Sequence, residues 1–222
     1  MSSSNLSLGN LSLKDLKNLQ SNIPELAGFP SRVLVETYDE FIKELYETID
    51  RIIFYKEENP ELYKEDTEDR ITIDIKNNLC LLGYNASHEM KIGGHADLVV
   101  KRNEFLWIGE AKIHSSYNYL WEGFLQLTTR YSTGDCNQKD GGLLIYIRNE
   151  NAKNIMDTWK NHLSSKKLPN YSFNPCLKRK LAFFSNHTHE RTGELFRVRH
   201  MGITLYFNPK DKSAIKRQIK NK

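Results

Sequence analysis

The apolar residues of the chain change their period twice, and each change predicts a boundary between elements. Over residues 31–57, Val33, Leu34, Tyr38, Phe41, Ile42, Leu45, Ile49, Ile52 and Ile53 recur three and four apart, the spacing that lines one face of an α-helix. A long amphipathic helix is predicted there, with Ser31 as its N-cap after Pro30. Asn59-Pro60 breaks the pattern, and a second helix is predicted over residues 65–82, where Gly83 ends it. A shorter helix is predicted over residues 11–20, and the polar, Ser-rich first ten residues are expected to be disordered.

After Gly83 the period shortens. Residues 86–91 alternate loosely, residues 96–101 form a short β-branched run and residues 104–113 read as a further strand, with Asn103 at the turn between the last two. Helical spacing returns over residues 117–131 through Leu120, Trp121, Phe124, Leu125, Leu127 and Tyr131. Gly141-Gly142 then leads into a strand over 143–148, and 151–163 is predicted to be helical. A polar loop follows, and strands are predicted over 180–185, 195–200 and 203–207, with Gly193 and Met201-Gly202 at the turns. Strands interleaved with helices in this order, without internal repeat, predict the α/β class: a central mixed sheet flanked by helices.

Composition narrows the class of function. The 222 residues are 39% hydrophobic and 27% charged, ordinary for one globular domain. There is no run of about 20 apolar residues and no secretory leader, so a membrane partner is not expected and a cytoplasmic location is. Cys80, Cys136 and Cys176 form no Cys-x-x-Cys pair, which disfavours a disulfide scaffold and a zinc ribbon. The formal charge of +4 conceals a gradient: residues 1–69 carry 7 basic and 15 acidic side chains, residues 70–175 carry 13 and 10, and residues 176–222 carry 12 and 3. The basic C-terminal part fits either a phosphate-binding surface or a solvated tail. Arg191, Arg197 and Arg199 are the candidates for phosphate contact, the last two on one strand face. His187, His189 and His200 lack further ligands at zinc spacing and are read as exposed groups beside those arginines.

The candidate chemistry lies between the two predicted strands that flank Asn103. Asp97 lies near the start of the first, and Glu110-Ala111-Lys112 lies near the end of the second. Glu110 and Lys112, two apart, project from one face, and a hairpin brings Asp97 opposite them. Two carboxylates and an ammonium on a mostly apolar sheet are costly unless they are compensated. A divalent cation would compensate them; Mg²⁺, which favours oxygen ligands and keeps positions for phosphate and water, suits two acids with nothing softer nearby. Lys112 would then orient or deprotonate a water, or neutralise a scissile phosphate.

These residues resemble the PD-(D/E)xK, or restriction-endonuclease-like, nucleases. The match runs from Gly93-Gly94-His95-Ala96-Asp97 to Glu110-Ala111-Lys112, with Glu110 13 positions after Asp97 and Ala96 in place of the motif's Pro. Glu68 stands where such families carry an acid on the preceding helix. Gln126 and Tyr131 stand where several carry Gln and Tyr on the following one, here one residue further apart than in the familiar form. The resemblance covers about residues 65–150 and implies a restriction-endonuclease-like αβββαβ core within residues 65–209, an N-terminal helical extension over 1–64, C-terminal β-strands and a basic tail over 210–222.

Carried over residue by residue, it implies that Asp97 and Glu110 bind Mg²⁺, for which Mn²⁺ can substitute, with the Ala111 carbonyl as a further ligand. Glu68 would hold a second metal or a metal-bound water, Lys112 would position the attacking water, and Gln126 would steady Lys112 or the substrate backbone. Tyr131 would touch substrate, unless it is a core aromatic. The implied activity is hydrolysis of nucleic-acid phosphodiesters, DNA before RNA, leaving a 5′-phosphate, with defence against foreign nucleic acid as an expected role. Specificity would come from the chain's own loops, from a homodimer or from a partner on the N-terminal helices. The alternative is a catalytically silent member that binds nucleic acid or protein. Phosphate-loop, dinucleotide, Gly-x-Ser-x-Gly and His-Glu-x-x-His motifs are all missing from the sequence.

Overall fold

The long helix begins at Thr37 rather than Ser31. The computed structural model describes residues 11–211 apart from Ser21, Pro24, Glu25 and Ala27, so the expected disorder of residues 1–10 and most of the basic tail lie outside the described residues. Thr37 Oγ1 accepts from the Glu40 N–H at 3.3 Å and the Glu40 carboxylate accepts from the Thr37 N–H at 3.2 Å, a reciprocal capping box that starts helix α3, Tyr38–Glu58. Ser31 lies buried inside a short helix, α2, Phe29–Val33, where it accepts a hydrogen bond from Gln20. Helix α1 is Leu13–Leu19. Pro60–Tyr63 forms a single 3₁₀ turn, and helix α4, Glu68–Leu81, follows with Thr67 as N-cap. Gly83, at φ +85°, closes it: the Tyr84 N–H reaches the Leu79 carbonyl and the Gly83 N–H that of Cys80, the paired bonds of a Schellman ending.

Strands β1 (Asn85–Ser87), β4 (Leu98–Arg102), β5 (Phe105–Ile113), β6 (Asp140–Ile147), β7 (Ser172–Pro175), β8 (Ala182–Thr188) and β9 (Leu195–Thr204) make a seven-stranded sheet in the order β1-β4-β5-β6-β9-β8-β7. β5, β6 and β9 are parallel to one another and all other pairs are antiparallel, so the sheet is mixed. Strands β2 (Met90–Lys91) and β3 (His95–Ala96) form a separate small hairpin. Helix α5 (Tyr117–Leu125) runs into a π turn, Gln126–Tyr131, and helix α6 is Ala152–Ser165.

Glycines mark the places where the predicted boundaries shift. β9 runs unbroken through Met201-Gly202, where a turn is expected. A Cβ at Gly202 would stand 2.9 Å from the Leu181 carbonyl oxygen and from Met156, so this glycine serves close packing and not a bend. Gly141-Gly142 likewise lies inside β6, because the Trp107 indole covers Gly142 at 2.4 Å from where its Cβ would be.

Each face of the sheet has its own core. α3 and α4 cover Leu98, Val100, Trp107, Ala111, Leu144 and Tyr146, while α5, the π turn and α6 cover Val99, Ile108, Leu143, Ile145, Phe196 and Val198. α3, from the predicted N-terminal extension, is thus part of the sheet's core. The Tyr46 hydroxyl donates to the Gly141 carbonyl at 3.1 Å and accepts from Trp107 at 3.2 Å, and buried Lys56 pairs with Asp74 to tie α3 to α4. No helix among the described residues is long and apolar enough to cross a membrane.

The three histidines expected to be exposed are core residues of the second face. His200 receives the Trp159 indole N–H at 3.1 Å, meets Ser185 at 2.8 Å and stacks 4.5 Å from Phe183; His187 packs on Phe124 and Phe196. Period two along β8 and β9 turns both inward. Burial pulls His187 down to about 4 and His200 to about 3, so both are neutral in the fold. The unfolded chain takes up these protons near pH 6.5 and the folded one only at lower pH. Their contribution is therefore complete above pH 6.5 and is lost on acidification. Equilibrium unfolding should show stability falling as pH drops from 6.5 towards 4, on the order of 3 kcal/mol from His187, and His187→Phe should move the acid midpoint to lower pH; an unchanged midpoint would contradict this.

Candidate active site

β5 is longer than its antiparallel neighbour. Pairing with β4 ends at Leu98↔Gly109, while β5 continues to Ile113, paired on its other side with β6. On the open side the N–H groups of Ala111 and Ile113 have no strand to bond, and an unpaired buried donor is costly. Two carboxylates take them: Asp97 Oδ2 accepts from Ala111 N–H at 2.8 Å and Glu68 Oε2 from Ile113 N–H at 2.6 Å. Asp97 arrives there because it directly precedes β4, and Glu68 because it is the first residue of α4. A strand residue's N–H and C=O point the same way, so the Ala111 carbonyl faces the same open edge.

Glu110 and Lys112 alternate with these backbone donors and project onto the α5 face. They are 1% and 7% exposed. Lys112 Nζ donates to Glu110 Oε1 at 2.6 Å and stands 3.5 Å from Glu68 Oε1 and 3.9 Å from Asp97 Oδ2. Three of the sequence-predicted acids are thus brought together around the ammonium of a fourth predicted residue, Lys112. Burial opposes the charge on Lys112, yet Glu110, Asp97 and Glu68 outweigh it and raise its pKa. Burial likewise raises Glu68, against the pull of Lys112 and the Ile113 N–H. Burial and the facing Asp97 carboxylate push Glu110 up to about 8. With one cation among three acids, Lys112 stays charged and the deficit falls on Glu110, whose Oε2 is buried without a partner.

That orphaned oxygen, facing a second carboxylate, fits a divalent cation held between Asp97 and Glu110. Among the described residues no three His, Cys, Asp or Glu side chains are gathered at ion-holding distance; the acids surround the ammonium, and the Asp97–Glu110 pair is what the edge offers an ion.

Three contributors are not part of the sequence reading. Tyr119, on the first turn of α5, places its hydroxyl 3.4 Å from both Glu68 oxygens and its ring 5.4 Å from Lys112 Nζ. Gly123, one turn on, lets the Lys112 stem cross the helix: a Cβ there would meet Lys112 Cγ at 2.8 Å and Cε at 3.0 Å. A glycine inside a helix costs about 1 kcal/mol, and together with Tyr119 four residues earlier it is the signal that could have marked this face. Arg130 is the third, at the end of the π turn, where the Gly93-Gly94 turn packs against it and against the sequence-predicted Tyr131, a buried aromatic of the core on the α5 face. Gln126 opens the π turn, half-buried on the same side of the helix as Gly123, and no hydrogen bond joins it to Lys112 among the described residues.

The arginines proposed for phosphate contact lie elsewhere. Arg197 and Arg199 share a face, but it is the α3 face, opposite Glu110 and Lys112. Arg199 is 1% exposed and pairs with Asp50 at 2.8 Å, and Arg197 pairs with Asp140 at 2.5 Å. Arg199 is therefore a structural ion pair and not a substrate contact. Arg191 is exposed in the β8–β9 turn, roughly 20 Å along the sheet from the level of Glu110 at strand rise. A cleft of about 730 Å³ lies between α3 and β8–β9; besides these two pairs it holds Lys139–Asp39 and Lys178–Glu47, so its charges are largely matched with one another.

Removing the ammonium alone should be costly, because it leaves buried carboxylates facing each other. Lys112→Met should lower the urea-unfolding free energy by about 3 kcal/mol, and Lys112→Met with Glu110→Gln should recover at least half of the loss. A single variant as stable as the wild type would contradict this electrostatic reading.

Comparison with protein-family models, curated proteins and solved structures yields no match.

Proposed function

We propose that the chain is a metal-dependent nuclease with a restriction-endonuclease-like core, in which α4, β1, β4, β5, α5 and β6 correspond to the αβββαβ order. The observation that carries the reading is the set of acids Asp97, Glu110 and Glu68 around Lys112 on the edge of β5, with Glu110 Oε2 unpartnered. Asp97 and Glu110, with the Ala111 carbonyl and Glu68 beside them, would hold Mg²⁺ or Mn²⁺, which when bound supplies neutralisation of phosphate charge and a more acidic water. Glu68 and Asp97 keep their backbone hydrogen bonds and so hold the edge rigid. Lys112, an ammonium with three donors, orients the water and balances negative charge building on the phosphoryl oxygens.

The water oxygen bonds to phosphorus as the P–O3′ bond breaks, leaving a 5′-phosphate; the water loses a proton to solvent and O3′ gains one. Tyr119 limits the swing of Glu68 and Lys112, and Gly123 fixes the path of the lysine stem. DNA is favoured over RNA as substrate on the resemblance. The second reading, a silent protein-interaction module, draws on Phe54, Tyr55, Leu62 and Leu81, apolar side chains exposed on the N-terminal helical layer.

Purified protein should cut supercoiled plasmid or labelled single-stranded DNA or RNA in Mg²⁺ or Mn²⁺ and not in EDTA. Asp97→Ala and Lys112→Ala should each lower the rate on the order of a hundredfold or more. Gly123→Ala should lower it about a hundredfold by displacing Lys112, with an unchanged circular dichroism spectrum. Absence of cleavage of every substrate by the wild type, together with a salt-insensitive protein complex, would favour the second reading.

A further inference from the structure

The site holds more acid than base, and a polyanion brought to it needs a cation that the acids have not taken. Lys112 is enclosed by three of them. Arg130 is exposed and enters no ion pair among the described residues. Its place is nevertheless fixed. The Gly93-Gly94 turn of the β2–β3 hairpin lies directly on it: a Cβ at Gly93 would stand 2.2 Å from the Arg130 carbonyl oxygen, and a Cβ at Gly94 would stand 2.9 Å from both Arg130 Cδ and Tyr131 Cε1. Gly93 has φ +64° as well, so both space and backbone require glycine here. The Arg130 head faces the Tyr131 hydroxyl, and that hydroxyl feels the charges of Glu110 and Asp97.

The helix beneath is π-wound over Gln126–Tyr131, with the Ser132 N–H bonded to the Leu127 carbonyl five residues back at 3.1 Å. Such turns are rare and re-aim side chains. The hairpin that pins Arg130 runs on directly through His95-Ala96 into Asp97, so the arginine and the metal-side carboxylate are positioned by the same few residues. A guanidinium whose stem is immobilised has lost much of its entropy before any ligand arrives, and its planar fork matches two phosphate oxygens.

Resting on the nuclease reading, we propose that Arg130, clamped by Gly93-Gly94 and Tyr131, is the residue that grips the nucleic-acid backbone phosphate beside the Asp97–Glu110 pair and positions the strand for cutting. The arginines of β9 do not have this role. Arg130 is a positioning and binding residue: it holds substrate, while Lys112 and the carboxylates face the reacting atoms.

The test is a salt titration of binding to a labelled single-stranded DNA and to a duplex, in EDTA so that nothing is cut, with wild type, Arg130→Ala, Arg130→Lys and Gly94→Ala, followed by steady-state cleavage in Mg²⁺. Removing one arginine–phosphate pair should reduce the slope of log K against log salt by about 0.9 on duplex or about 0.7 on single strands. Arg130→Ala should show that reduction and a higher KM. Arg130→Lys should keep the slope but bind more weakly, and Gly94→Ala, with Arg130 intact but displaced, should resemble Arg130→Ala. A wild type that cuts nucleic acid while Arg130→Ala binds with unchanged slope and KM would overturn the proposal and leave the nuclease reading standing. A wild type with neither cleavage nor salt-dependent binding would remove both.

Discussion

The overhang of β5 beyond β4 is the constraint on which the site depends. Backbone donors at Ala111 and Ile113 emerge into a partly buried edge with no strand beside them, and they must be bonded. Side chains from two different elements, Asp97 before β4 and Glu68 at the start of α4, meet that demand. Once those carboxylates are fixed for the backbone's sake, the intervening Glu110 and Lys112 are forced by strand alternation onto one face beside them. The ammonium is then needed to offset acids that cannot retreat to water, and even so one oxygen of Glu110 is left without a partner. The hydrogen bonds that finish the sheet edge thus also concentrate negative charge there.

The layers on either side treat polar groups differently. On the α3 face each acid has a cation beside it: Arg199 with Asp50 joins β9 to α3, Arg197 with Asp140 joins β9 to β6, and Lys56 with Asp74 joins α3 to α4. At the open edge of β5 the balance is one cation to three acids, and the neighbouring α5 gives way to it: Gly123 makes room for the lysine stem and the π turn carries Arg130 and Tyr131 against the Gly93-Gly94 turn. Imbalance and irregular backbone coincide at the same edge.

Much of this was legible in the sequence because it rests on short-range periodicity. The alternation of Glu110 and Lys112, the turn at Asn103 and the placing of Glu68 on the helix before the sheet are local properties, and so is the α/β order; the Thr67 cap, which makes Glu68 the first residue of α4 and not the fourth, is not part of that reading. What was not legible depends on contacts between distant segments. Ser31 has the chemistry of a cap, but Thr37 has Glu40 three residues on and therefore the reciprocal bond. Gly202 and Gly142 look like turns, yet they make room for Met156 and Trp107, which come from other elements. Arg197 and Arg199 do share a face, but only the sheet order and the position of α3 decide which one, and His187 and His200 are core residues for the same reason. Tyr119 and Gly123 carried a readable signal in their spacing of four, while the π turn left no trace in periodicity.

The most direct test of the proposal that this acid-rich edge takes a cation is equilibrium binding of Mn²⁺, followed by calorimetry and by the loss of free Mn²⁺ signal in electron paramagnetic resonance. One saturable ion per chain is expected in the wild type, and Glu110→Gln and Asp97→Asn should abolish it while remaining folded. A wild type that binds no ion, or variants that bind it as well as the wild type, would contradict the assignment of that edge as a cation site.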